Sequence, residues 1–161
     1  MRILIVDDEF VSRIKMKKIL SEFGECQAVS NGSDALEAYR NARKIKKAFD
    51  LITLDISMPD MDGTVVLDRI RKTEKVKKID DHHKVKIIMV TSHAQKNIVV
   101  KSIKSGCDEY VVKPFKREQL VEKMEKLGLF EKTQNQDIPN YLEAVKADDI
   151  TDADDFFNEA A

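Results

Sequence analysis

Four short runs of the chain are apolar without polar alternation: residues 3–6, 51–54, 85–90 and 110–112. Runs of this length, rich in Ile, Val and Leu and interrupted only at Thr53 and Lys86, predict strands buried on both faces, as in a parallel sheet. Residues 26–29 predict a weaker fifth strand. Between the runs the period changes. Met16, Ile19, Leu20 and Phe23, then Ala35, Ala38, Tyr39 and Ala42, recur at i, i+3, i+4 and i+7, the spacing of a helix with one buried face. Val66, Leu67 and Ile70 mark a third helix, Val99, Val100 and Ile103 a fourth, and Leu120, Val121, Met124 and Leu127 a fifth. Asn31-Gly32-Ser33 offers turn and cap chemistry before the second helix, and Gly128 a stop after the fifth. Five strand–helix units in succession predict an α/β fold, a doubly wound parallel sheet with helices on both faces.

The one long polar connection, residues 73–84, contains Asp80-Asp81-His82-His83. Adjacent histidines suggest a metal, but no third ligand stands at a useful spacing, so a solvated loop is expected.

Composition narrows the class. The 161 residues are 42% hydrophobic, enough for one sizeable core, and 35% charged, above the usual quarter or so. No apolar run approaches the roughly 20 residues of a membrane helix. The start, Met1-Arg2-Ile3-Leu4-Ile5-Val6-Asp7-Asp8, turns acidic too soon for a secretory signal. Cys26 and Cys107 lie far apart and form neither a disulfide framework nor a metal pair, so a cytoplasmic chain with free thiols is expected. The net charge of -1 conceals a split. Residues 133–161 hold eight acids and one base, a charge of -7, and the other 132 residues sum to +6. Such asymmetry often marks an interaction segment.

The unusual polar residues fall at the carboxyl ends of predicted strands, where open α/β sheets bind ligands. Asp7, Asp8 and Glu9 follow the first strand, Asp55 ends the third, Thr91 follows the fourth and Lys113 the fifth. Read singly, each is ordinary: a helix cap, a loop acid, a surface lysine. Read together they bring three carboxylates and a lysine to one rim. Three such carboxylates repel one another unless a cation neutralises them, and Mg²⁺ suits a site with few protein ligands.

These residues resemble the receiver domain of bacterial two-component response regulators, of the single-domain, chemotaxis-like type. The resemblance covers about residues 1–127. It rests on Asp7-Asp8-Glu9, on Asp55-Ile56-Ser57-Met58-Pro59-Asp60-Met61-Asp62-Gly63, on Thr91-Ser92, and on the segment from Gly106 through Lys113-Pro114-Phe115. It implies a flavodoxin-like (βα)5 fold with strand order 2-1-3-4-5, which puts the second strand, lacking a polar marker, at the edge. It implies Asp55 as the acceptor of a phosphoryl group from a sensor histidine kinase. Asp8, Asp55 and the backbone carbonyl of Ser57 would hold Mg²⁺, with Asp7 direct or through water. Lys113 would pair with a phosphoryl oxygen, and its bond to Pro114 would be cis. The Thr91 hydroxyl and the Tyr110 ring would form the switch, although Tyr110 also reads as a half-buried strand aromatic. The surface of the fourth helix, fifth strand and fifth helix would then meet a downstream protein. Ser57 and His93 would flank the water that ends the phosphorylated state. Such a domain acts on itself and is not an enzyme with an external substrate.

Two alternatives fit less well. A flavodoxin-like cofactor binder wants a hydroxyl-rich phosphate loop where this chain has Asp-Asp-Glu. An aspartyl-phosphate phosphohydrolase wants a second acid two residues after its nucleophile, where this chain has Ser57.

The expected organisation is a receiver at 1–127, a linker at 128–132 and an acidic tail at 133–161. No output domain follows the fifth helix, and the basic side chains are spread, so neither DNA binding nor membrane insertion is expected. In the tail, Ile138, Tyr141, Leu142 and Val145 have helical spacing, with Pro139 near the start. Thr151-Asp152-Ala153-Asp154 resembles a capping box, and Phe156-Phe157 is an apolar anchor. The composition favours disorder in isolation, whereas an acidic amphipathic helix would dock on its own basic domain or on a partner.

Overall fold

Strands form where both faces can be buried, and the exposure of each strand follows its place in the sheet. The structure, a computed structural model, describes residues 1–92 and 103–130. It has β1 (Arg2–Val6), α1 (Phe10–Leu20), β2 (Glu25–Val29), α2 (Gly32–Lys44), β3 (Leu51–Asp55), α3 (Gly63–Val76), β4 (Lys86–Thr91), β5 (Glu109–Val112) and α4 (Arg117–Lys126). The label α4 thus belongs to the fifth predicted helix. Of the fourth, only Ile103 is among the described residues. His93 and the tail also lie outside them.

The five strands are parallel in the order β2-β1-β3-β4-β5. Central β3 is buried along its whole length, while β2 at the edge is mostly exposed, which is why residues 26–29 gave the faintest pattern. The two-residue period of each strand sorts its side chains into two layers. Leu4, Val6, Ile52, Leu54, Ile87 and Met89 pack with α2 and α3, through residues such as Leu36, Tyr39, Val66 and Ile70. Ile3, Ile5, Leu51, Ile88 and Val90 pack on the opposite side with Met16, Leu20, Leu120 and Met124 of α1 and α4.

Helix ends follow local chemistry. The Asn31 side chain accepts the Asp34 N–H at 2.8 Å and so caps α2, as its position predicts. Gly128 has a φ of +68°, and Leu129 N–H reaches back to the Met124 carbonyl at 3.1 Å, closing α4.

The polar connection is shorter than residues 73–84. α3 continues to Val76, and Glu74 is fully buried rather than solvated. Its carboxylate accepts from Arg71 at 2.7 Å and from the Val85 N–H at 3.0 Å. That pairing offsets the cost of its burial. His82 and His83 belong to an exposed turn, where His83 Nδ1 lies 2.7 Å from Asp80. Among the described residues the metal-capable cluster lies elsewhere, at Asp7, Asp8 and Asp55.

Candidate functional site

The register of the sheet assembles the site. Val6 of β1 pairs with Leu54 of β3, so the next residue on each strand, Asp7 and Asp55, meet at the carboxyl rim. Val90 of β4 pairs with Asp55, and Thr91 pairs with Val112 of β5. Lys113 follows, its N–H bonded to the Thr91 carbonyl at 2.7 Å. Four side chains distant in sequence thus share one edge, at the crevice where doubly wound sheets bind ligands. The structure brings together Asp7, Asp8, Asp55, Thr91 and Lys113 as the sequence predicts.

Lys113 reaches over β4 to place its ammonium 2.6 Å from Asp55 Oδ2 and 2.8 Å from Asp7 Oδ2. Asp7 and Asp55 are buried, whereas Asp8 is exposed at the mouth. One oxygen from each of the three carboxylates lies within 4.8 Å of the others. Burial pushes the Asp55 carboxyl above its ordinary range; Lys113 opposes this, and the Asp7 charge reinforces it. Burial pulls the Lys113 ammonium down, but its bonds to Asp55 and Asp7 outweigh that and leave it raised. One ammonium facing two carboxylates is held charged, while each carboxylate shares one cation. The three carboxylates and the ammonium leave a formal excess of about two negative charges, which one divalent cation would balance. An all-oxygen donor set of this kind fits a hard ion such as Mg²⁺.

Several groups fix these side chains. Asp7 Oδ2 accepts the buried Ser12 hydroxyl at 2.5 Å, and Oδ1 accepts the Glu9 N–H at 2.9 Å. Asp7 thereby also serves the open start of α1, whose N-cap residue Glu9 makes no side-chain cap. Arg13 donates to the carbonyls of Asp7 and Asp8 at 2.7 and 3.2 Å. Asp55 Oδ1 accepts the N–H of the exposed Ser57 at 3.1 Å. Lys15 of α1 donates to the Phe115 carbonyl at 2.6 Å, steadying the loop that carries Lys113. The Lys113–Pro114 peptide is cis, as expected. Gly63 lets α3 start directly behind the end of β3. A Cβ there would lie 2.1 Å from the Asp55 carbonyl oxygen.

Thr91 is buried at the end of β4. Tyr110 stands two residues before Val112 on the same face of β5, half-buried, with the Lys123 ammonium 5.8 Å from its ring centre. Ser12, Arg13 and Lys15 escape sequence reading because their partners come from tertiary contacts or from an ordinary helix start. The only available signal was a serine five residues after Asp7.

Residues 3–125 match the response regulator receiver domain family. The chain is 35% identical to the chemotaxis protein CheY of Bacillus subtilis, over 78% of this chain and 95% of that protein. It is 32% identical to CheY of Listeria monocytogenes, over 78% of this chain and 97% of that one. The fold is similar to CheY in the CheX-CheY-BeF3-Mg²⁺ complex from Borrelia burgdorferi. That likeness has a TM-score of 0.67 and 25% identity, and covers 80% of this chain and 89% of that one.

Proposed function

The chain belongs to the response regulator receiver domains of the CheY-like type, which are phosphorylated on aspartate in two-component signalling, and from that premise we propose that Asp55 is the acceptor. The observation that carries the reading is the Lys113 ammonium, held between buried Asp55 and buried Asp7 at the mouth of the sheet. An Asp55 carboxylate oxygen attacks the phosphorus of a phosphohistidine on a sensor kinase. The P–N bond breaks, the imidazole departs, and an acyl phosphate remains. Fixed by Ser57 N–H on one oxygen and Lys113 on the other, the carboxylate presents itself with little freedom left to lose. As its charge moves outward onto the phosphoryl oxygens, Lys113 can follow as a compact point charge.

Asp7, Asp8, Asp55 and the Ser57 carbonyl are the groups that would hold Mg²⁺, which when bound offsets the charge between carboxylates and phosphoryl group. The carboxylate cluster supports this, as does the Mg²⁺ and BeF3 named for the Borrelia CheY complex. Thr91 at the adjacent strand end would donate its hydroxyl to the phosphoryl group, with Tyr110 responding. The surface of β5 and its flanking helices then offers a changed face to a downstream protein. The chain catalyses only its own phosphorylation and its loss.

The test is the mass of the intact chain after incubation with a small phosphodonor and Mg²⁺. One added phosphoryl group is expected for the native chain and none for Asp55→Ala. An equal gain in both would place the acceptor elsewhere.

A further inference from the structure

α2 and α3 pack on the same layer of the sheet, and their carboxyl ends lie side by side. Arg43 near the end of α2 and Glu74 near the end of α3 pair at 3.8 Å, and each stands directly before a run of the same kind. Lys44-Ile45-Lys46-Lys47 follows Arg43, and Lys75-Val76-Lys77-Lys78 follows Glu74. All eight side chains are exposed, Ile45 to 62% and Val76 to 82%. Lysine in the last turn of a helix complements its dipole, but Lys46, Lys47, Lys77 and Lys78 lie past the helix ends. Lys72, Lys84 and Lys86 each have an acid partner, whereas among the described residues these six lysines have none. The fold thus gathers charge that is dispersed in sequence. Residues 43–47 and 71–78 hold nine bases and one acid, a net +8, while residues 1–132 sum to +6, so the other 119 are at -2.

We propose that this corner is a docking surface for an anionic lipid bilayer. Two features select that occupant. Six unpaired ammonium groups on flexible stems suit a plane of negative headgroups. Ile45 and Val76, set among them, suit the apolar layer beneath those headgroups, whereas a nucleic-acid phosphate backbone offers an aliphatic side chain no partner. The orientation is open as well. α3 begins beside Asp55, where the Gly63 N–H bonds the Ile56 carbonyl, and its 14 residues end about 20 Å away. A chain seated on its basic corner therefore keeps the carboxylate rim clear of the bilayer. Contact is confined to side-chain tips, and no helix inserts. The proposal stands independently of the phosphorylation assignment.

Sedimentation of the full chain with lipid vesicles tests it. Mixed phosphatidylcholine–phosphatidylglycerol vesicles should bind the chain, phosphatidylcholine alone should not, and added salt should release it. Lys47→Gln with Lys77→Gln should weaken binding about 30-fold, at about fivefold per lysine. Ile45→Ser with Val76→Ser should weaken it several-fold at constant charge. Lys17→Gln with Lys18→Gln removes the same charge from exposed positions of α1, on the other layer of the sheet, and should bind like the native chain. No binding to the mixed vesicles would overturn the proposal, whether or not duplex DNA retains the chain. Equal loss from both lysine pairs would overturn it too, because charge alone and not this corner would then be responsible. An affinity indifferent to Ile45→Ser and Val76→Ser would do the same, by assigning the corner to a polyanion without an apolar layer.

Discussion

Asp7 serves three groups at once: Lys113, the Ser12 hydroxyl and the Glu9 N–H. Ser12 donates from within α1, so the helix sets its position. Ser12→Ala should therefore loosen Asp7 and weaken Mg²⁺ binding by about tenfold, as loss of an outer hydrogen bond to a metal ligand commonly does. Calorimetric titration with Mg²⁺ reads the change directly, and an unaltered Kd would show that Lys113 and Glu9 suffice. The Cys107 thiol illustrates the opposite case, a buried group with no part in the site. Burial, aided by Asp108, pushes it up to about 11, which leaves it inert at neutral pH. At this scale the acids and the lysine were legible because strand ends are where such residues gather. Ser12 and Arg13 were not, since a serine or arginine early in a helix is unremarkable until its partner is known.

Elements are joined by charge as well as by apolar surface. Glu74 near the end of α3 is fully buried and meets Arg71, Arg43 of α2 and the start of β4. Arg71 also bonds Asp108 and the Gly106 carbonyl, so one carboxylate organises the joints before β4 and β5. Glu74→Ala should cost about 1–3 kcal/mol of folding stability, because it leaves the buried Val85 N–H unpaired and takes a partner from the part-buried Arg71 and Arg43. Urea unfolding measures this, and a loss below about 1 kcal/mol would mean the arginines find water instead. Glu109 at the start of β5 is held in a similar way by Lys126 and Lys123 of α4. Burial alone would raise its carboxyl, yet those lysines hold it below its ordinary value of 4.5. Its contribution is therefore complete above that value and disappears as the pH falls through the lower, folded one. Between those two values the native chain should lose stability more steeply than Glu109→Gln, as thermal melts across the acid range would show; parallel curves would argue against the clamp. Helix ends show how uneven the sequence signal is. Gly128 announces its left-handed turn, but Lys46 and Lys78 adopt φ of 57° and 51° after α2 and α3 without a glycine to mark them.

For the whole molecule, the excess negative charge at the rim is a cost of folding that a bound divalent cation would remove. A ligand bound by the native state alone stabilises it, by roughly 2.7 kcal/mol at about a hundredfold excess over Kd. Mg²⁺ should raise the melting temperature, a chelator should return it, and Asp8→Asn should blunt the rise. A melting temperature indifferent to Mg²⁺ would argue against the carboxylates as its ligands.

What the sequence determined by itself was the alternation of buried strands and one-faced helices, and with it the sheet and the rim where Asp7, Asp8, Asp55, Thr91 and Lys113 collect. Periodicity is written locally, and strand ends in a parallel sheet point the same way, so those conclusions need no long-range information. The resemblance to receivers then supplied the strand order and the cis bond. Only the tertiary structure decided that Lys113 spans Asp55 and Asp7, that Ser12 holds Asp7, and that Glu74 lies inside rather than on a loop. Those facts depend on which distant residue stands opposite, and no local pattern records that. The same holds for α1: its exposed Phe10, Val11 and Ile14 look in sequence like any other apolar helix residues. They become a surface only because Met16, Ile19 and Leu20 take the buried face.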